Sequence, residues 1–150
     1  MAKKLNLNKY FPYILVTLQM SAILFILLTG AIIPSGNLLL ILLILFLLVG
    51  LWAMAEMKFR FNIFPALLNN SSLITSGPYR FIRNPMYTSI IFMMLILVIN
   101  EFSYIRMFIW IILIFIFLYK INIEEKILAK EFPEYPEYRS VTKKLIPFIF

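Results

Sequence analysis

Leu73-Ile-Thr-Ser-Gly-Pro-Tyr-Arg-Phe-Ile-Arg-Asn-Pro-Met-Tyr87 divides this 150-residue chain. Two long apolar blocks lie before it and two after it. Gly77, Pro78, Tyr79, Arg80, Arg83, Asn84, Pro85 and Tyr87 fall within eleven residues. A loop that merely joins helices needs neither two arginines nor two Pro-bounded turns. Polar groups this dense in so apolar a chain mark a site or a membrane-surface anchor.

The chain around this stretch is 63% hydrophobic and 14% charged, with a mean hydropathy of +0.94. A soluble domain has no means of covering that much apolar surface, so the composition predicts an integral membrane protein. Upstream, Lys3, Lys4 and Lys9 precede an uncharged block at 11–33. The start is like that of a signal peptide, but no small-residue cleavage site follows, and the block is long enough to span. Pro34-Ser-Gly36 makes a tight turn. A second uncharged block, 37–55, ends beside Trp52 at an interface. These two blocks are expected to form an antiparallel hairpin acting as anchor and scaffold.

The loop at 56–85 opens with Glu56, Lys58 and Arg60 and continues through Asn62-Ile-Phe-Pro65 and Asn69-Asn-Ser-Ser72. The second group contains glycosylation-type sequons, expected on the wrong side of the membrane for use. The third block, 86–99, is short: fourteen residues at ~1.5 Å each give about 21 Å against a ~30 Å hydrocarbon core. It must borrow from its flanks or sit in a thinned or protein-lined region. After Asn100, Glu101 and Ser103, the fourth block runs 104–119 with Arg106 near its start. It is expected to leave the membrane as a helix through Lys120, Glu124 and Leu128, until Pro133 and Pro136 break it.

The 14 basic residues set the topology. Three lie in the N-terminal tail, four in the 56–85 loop and six from Lys120 onward, whereas the 34–36 turn has none and the 100–106 turn only Arg106. By the positive-inside rule, four spans put the loop and both termini in the cytoplasm. The expectation is thus one all-α membrane domain over 1–150. It has four transmembrane helices in two hairpins, a cytoplasmic loop at 56–85 and a cytoplasmic tail at 120–150. Abundant Ile, Lys and Asn point to an AT-rich bacterial genome and so to a bacterial inner membrane.

Composition also removes chemistries. The chain has no Cys, His or Asp, and its seven acids are all Glu. Disulfides, thiolate or His-ligated metal sites and His-based triads are excluded, and no metal is expected. The net charge of +7 flanks apolar blocks, which fits an anionic membrane face rather than nucleic acid.

Asn84-Pro85 reads as a helix start, with Asn84 the N-cap and Pro85 the first helical residue. Free N–H groups there attract a carboxylate or phosphate, and Arg80 and Arg83 add charge beside them. Tyr79 and Tyr87 offer aromatic faces suited to an adenine ring or to a sulfonium or ammonium cation. The same arginines and tyrosines also serve as lipid-headgroup anchors. Lys120 and Glu124, four apart, share one helix face. They read either as a solvated pair or as a cation for an anionic substrate group beside a carboxylate for a ribose or ammonium.

Leu73 to Tyr87 resembles the cofactor loop of the isoprenylcysteine carboxyl methyltransferase and phospholipid methyltransferase superfamily. Glu124-Glu-Lys-Ile-Leu-Ala-Lys-Glu-Phe-Pro-Glu-Tyr-Pro-Glu-Tyr138, closing at Ile146-Pro147, resembles its C-terminal signature. The resemblance covers roughly residues 59–147. It implies S-adenosyl-L-methionine as methyl donor, held by Ser71, Ser72, Leu73, Ile74 and Tyr79, by Arg83, Asn84, Pro85, Met86 and Tyr87, and by Glu124. It implies a lipid or lipidated acceptor reached from the bilayer, methylated by in-line transfer, with Lys120 or Arg80 orienting an anionic nucleophile. A neutral amine acceptor would need a base in that transfer, and Glu125 is the nearest. Asn84 stands where the family usually has histidine, and Lys120 where it has arginine; Asn still caps but cannot act as an imidazole, and Lys lacks the bidentate fork. Three other readings remain: a sterol-reductase-like oxidoreductase, a small four-span exporter or assembly subunit, and a catalytically dead relative. The first lacks a Gly-rich dinucleotide loop. The second lacks an ionisable coupling residue in the first two blocks.

Overall fold

The computed structural model describes residues 10–58, 73–147 and 149–150. Five α-helices account for most of them: α1 (Phe11–Leu28), α2 (Asn37–Glu56), α3 (Pro85–Asn100), α4 (Tyr104–Glu131) and α5 (Tyr135–Val141). A one-turn 3-10 helix spans Gly77–Arg80, and an isolated parallel bridge pairs Ile82 with Lys143. No strand forms among the described residues, and Leu73–Ser76 is irregular.

The helix ends follow from local chemistry. α3 begins at Pro85, whose missing N–H is one that the first turn leaves unpaired anyway. α4 stops at Glu131 because Phe132, preceding Pro133, takes an extended backbone (φ −116, ψ 108). Pro136 then sits in the first turn of α5, where it is tolerated.

α1, α2 and α4 are each long and apolar enough to cross a membrane. α2 buries only Ala53 against the rest of the protein, so its apolar surface has lipid as its solvent. α3, with 16 residues, reaches only about 24 Å. It packs against α1, α2 and α4 and buries eight residues, the protein-lined setting in which a short helix avoids mismatch.

The expected pairing of the first two helices into a hairpin needs correction. α1 packs on α4 and α3, and α2 packs on α3; α1 against α2 is not a main contact. Uniformly apolar faces have no preference for one another in lipid, and small or polar residues decide the pairing. Gly50 lets α2 approach α3 so closely that a Cβ there would lie 2.5 Å from Ser89 Oγ, which itself donates to the Phe46 carbonyl at 2.5 Å. Phe46 and Phe92 stack beside this crossing at 4.7 Å. On the other side, Leu15, Gln19, Ala22 and Ile26 form the buried stripe of α1.

At the end where α4 begins, Arg106 is 3% exposed. Its guanidinium donates to the carbonyls of Ile26 (3.2 Å), Leu97 (2.9 Å) and Glu101 (2.8 Å). The first two are carbonyls in the last turns of α1 and α3; that of Leu97 also accepts from the Glu101 N–H at 3.3 Å. Glu101 accepts from the Ala31 N–H at 3.0 Å, and Asn100 from the Ser35 N–H at 3.3 Å. The two short connections at this end are thereby tied together.

Candidate functional site

At the opposite end, the Leu73–Tyr87 stretch meets the end of α4 and the tail. Gly77 has φ +58, a conformation that favours glycine, and opens the 3-10 turn that carries Tyr79. A Cβ at Gly77 would lie 2.5 Å from the Glu56 carboxylate. Glu56 occupies that space because Ser76 Oγ donates to it at 2.6 Å and Trp52 Nε1 at 3.3 Å. The end of α2 is thus fastened to the turn.

The segment after the turn is fastened to the tail. The Arg83 N–H donates to the Lys143 carbonyl at 2.8 Å, and the Lys143 N–H to that of Phe81 at 3.2 Å, making the bridge around Ile82. Arg83 Nε donates to Glu125 at 2.9 Å in an ion pair with both side chains nearly buried. Its Nη1 donates to the carbonyls of Arg139, at 3.2 Å, and Thr142. Asn84 is the residue before α3, but its side chain does not cap the helix; Nδ2 donates to the Lys144 carbonyl at 3.0 Å. Thr88 Oγ1 donates to the Leu145 carbonyl at 2.8 Å. Tyr138, on α5, donates to the Tyr79 carbonyl at 2.7 Å. Burial holds the Tyr138 phenol up at about 12, with Glu125 adding to the rise and Arg83 opposing it, so the donor stays protonated. The Tyr79 phenol is raised further, by burial first and then by Tyr138, Glu124 and Glu56.

A polar chain crosses three helices beneath this frame. Tyr87, on α3, donates its hydroxyl to Glu124 on α4 at 2.7 Å. The Lys120 Nζ lies 5.3 Å from the centroid of the same ring, which also packs on Phe117 at 5.0 Å. Lys120 is 1% exposed and donates to Gln19 of α1 at 3.3 Å. Among the described residues the ion pairs are Arg83–Glu125 and Arg106–Glu101; Lys120 and Glu124 are joined through Tyr87 instead.

Of the residues singled out in the sequence, Tyr79, Arg83, Asn84, Pro85, Tyr87, Lys120, Glu124 and Glu125 come together at this end. Leu73 and Ile74 lead into the turn half-buried, Met86 is half-buried in the first turn of α3, and Arg80 is exposed. Ser71, Ser72 and the sequons lie outside the described residues. Gln19 and Glu56 were missed as site residues. Their signal was present: Gln19 is the lone amide in α1, and Glu56 the lone charge in α2. The Tyr135 hydroxyl is buried with no hydrogen-bond partner among the described residues, a donor left for a ligand or water.

The family model for the isoprenylcysteine carboxyl methyltransferase family matches residues 38–130. The chain belongs to that family. The matched region takes in α2, the turn, α3 and nearly all of α4, and leaves α1 and α5 outside. No curated protein and no solved structure matches the chain. Membership in the isoprenylcysteine carboxyl methyltransferase family, with three long apolar helices, makes this protein an integral membrane methyltransferase.

Proposed function

We propose that the protein is an S-adenosyl-L-methionine-dependent methyltransferase acting on a lipid-tailed acceptor with an anionic group, at the end of the molecule where α3 starts. The observation that carries this reading is the Tyr87–Glu124 hydrogen bond, which joins the Leu73–Tyr87 stretch to the tail motif with Lys120 over the same ring. The donor set suits such a cofactor. Glu124 has one oxygen on Tyr87 and a second to accept from a ribose or ammonium, the buried Tyr135 hydroxyl is unsatisfied, and Tyr79 supplies an aromatic ring. When bound, the cofactor supplies a methyl group already activated on sulfur, delivered by in-line displacement, so the protein has mainly to align the partners.

The roles divide by environment. Glu124, Tyr79, Leu73 and Ile74 form the cofactor wall. Lys120 holds the acceptor's anion, a placement for which a desolvated ammonium is far stronger than one in water. Arg83 and Glu125 neutralise each other and draw the tail over the site, so this reading gives them a holding role in place of direct contact or base catalysis. Asn84 does likewise through Lys144. Exposed Arg80 stays a surface contact for lipid headgroups. The reading includes α3 as a fourth, short span within one membrane domain, with both termini on the cytoplasmic face of a bacterial inner membrane.

The test is calorimetric titration of S-adenosyl-L-methionine into detergent-purified protein, beside Glu124→Ala and Tyr79→Ala. Saturable binding to the wild type, lost in both folded variants, is expected. Absence of binding to folded wild type with lipid added back overturns the reading.

A further inference from the structure

We propose that α1 takes part in acceptor selection: Gln19 positions the Lys120 ammonium for the anionic group of a lipid-tailed acceptor. This rests on the role given to Lys120 above. Gln19 is 6% exposed and lies in a helix that is otherwise apolar apart from hydroxyls. An amide buried against membrane-spanning helices is costly unless it is bonded, and its oxygen takes a hydrogen bond from Lys120 at 3.3 Å. Lysine carries its charge on a flexible four-carbon stem, so a lone contact leaves the ammonium free to swing. Here it is fixed from two sides, by the Gln19 oxygen and by the Tyr87 ring at 5.3 Å.

The donor count leaves room for an outside anion, because one of the three Lys120 N–H groups is taken, by Gln19. Glu125 is paired with Arg83, and Glu124 is bonded to Tyr87. Among the described residues no carboxylate pairs directly with Lys120, although it is 1% exposed. A buried ammonium has three N–H donors and a strong need for a counter-charge. Gln19 uses one donor without cancelling the charge, as a carboxylate at that position would. The amide therefore orients the Lys120 head group and leaves its two other N–H donors for a ligand. Gln19 lies outside the family-matching residues 38–130.

The experiment measures charge preference by equilibrium binding. Full-length protein in detergent, saturated with S-adenosylhomocysteine, is titrated with N-acetyl-S-farnesyl-cysteine and with its methyl ester. A second pair, phosphatidate and diacylglycerol, distinguishes a phosphate from a carboxylate as the anion. Wild type should prefer at least one anion over its neutral counterpart by about ten-fold, the size of one hydrogen bond to a charged group. Gln19→Leu, and the near-isosteric Gln19→Met, should erase most of that preference. Gln19→Glu should erase it too, by neutralising a cation it still holds in place. All three should keep their S-adenosylhomocysteine affinity. A merely structural Gln19 would move stability but not the anion-to-neutral ratio. Retention of the ratio in the Leu and Met variants, or in the Glu variant, overturns the proposal, as does a wild type that binds the cofactor product yet prefers neither anion. Failure of the wild type to bind S-adenosylhomocysteine is a separate result: it sinks the cofactor reading itself, before any variant is compared.

Discussion

Tyr87 makes two contacts of different kinds with one side chain, a hydroxyl bond to Glu124 and a ring face toward Lys120. Tyr87→Phe separates them. It should weaken S-adenosyl-L-methionine binding about ten-fold by calorimetry, because Glu124 loses its orienting donor, while the ring still supports Lys120. Arg83 and Arg80 form a second contrast. Arg83→Ala leaves Glu125 buried without its partner, and breaking such a pair costs about 3–5 kcal/mol, visible as a fall in thermal midpoint. Arg80→Ala, at an exposed position, should stay within about 0.5 kcal/mol. Tyr138 gives a pH dependence. Its folded-state pKa, about 12, lies above the ~10 of a free phenol, so its stabilising contribution is complete below about pH 10 and lost as pH rises toward 12. An ultraviolet titration of wild type against Tyr138→Phe should show one tyrosine ionising late, together with release of α5.

At the scale of elements, the turn at Gly77–Arg80 depends on α2. Gly77→Ala meets both a positive φ and the Glu56 carboxylate, so it should cost more than about 1 kcal/mol and displace Tyr79. Loss of cofactor binding with unchanged helix content in circular dichroism checks this. The elements themselves were legible in the sequence because an uncharged run of spanning length reads as a helix whatever it packs on. The pairing of the helices was not. Nothing in the two long apolar blocks at 11–33 and 37–55 says that they pack chiefly on other helices; that depends on what faces Gly50 and Gln19, namely Ser89 and Lys120, and those partners lie far along the chain. The site was half legible. Glycine, prolines and tyrosines marked the turn, and the i,i+4 spacing put Lys120 and Glu124 on one face. The ties that Arg83 makes to the tail were hidden because, beyond Glu125, its partners are backbone carbonyls, which have no sequence signature. Asn84 looked like a helix cap for the same reason, whereas its amide reaches Lys144.

For the molecule as a whole, the absence of cysteine allows the proposed topology to be mapped with single introduced thiols. Ser35→Cys should react with a membrane-impermeant maleimide from outside intact cells, and Ser140→Cys only after permeabilisation. The reverse pattern would sink the orientation. Arg106 shows why counting charges alone is a coarse guide to sidedness. It is buried at the outer end in that topology, and its guanidinium serves three backbone carbonyls rather than the surface. Its replacement by Leu removes all three of these hydrogen bonds, with an expected loss of about 3 kcal/mol and no change in which side Ser35 faces.

The bond between Gln19 and Lys120 joins residues 101 positions apart, and Arg83 and Thr88 reach carbonyls at 142 and 145, close to the last residue. A ribosome must therefore have made nearly all of the chain before either set of contacts can close. During synthesis the helices enter the bilayer one by one with their polar groups unmatched, and the end that carries the candidate site closes only once residues 142–145 have been made. A nascent chain stalled before residue 142 should therefore bind no S-adenosyl-L-methionine.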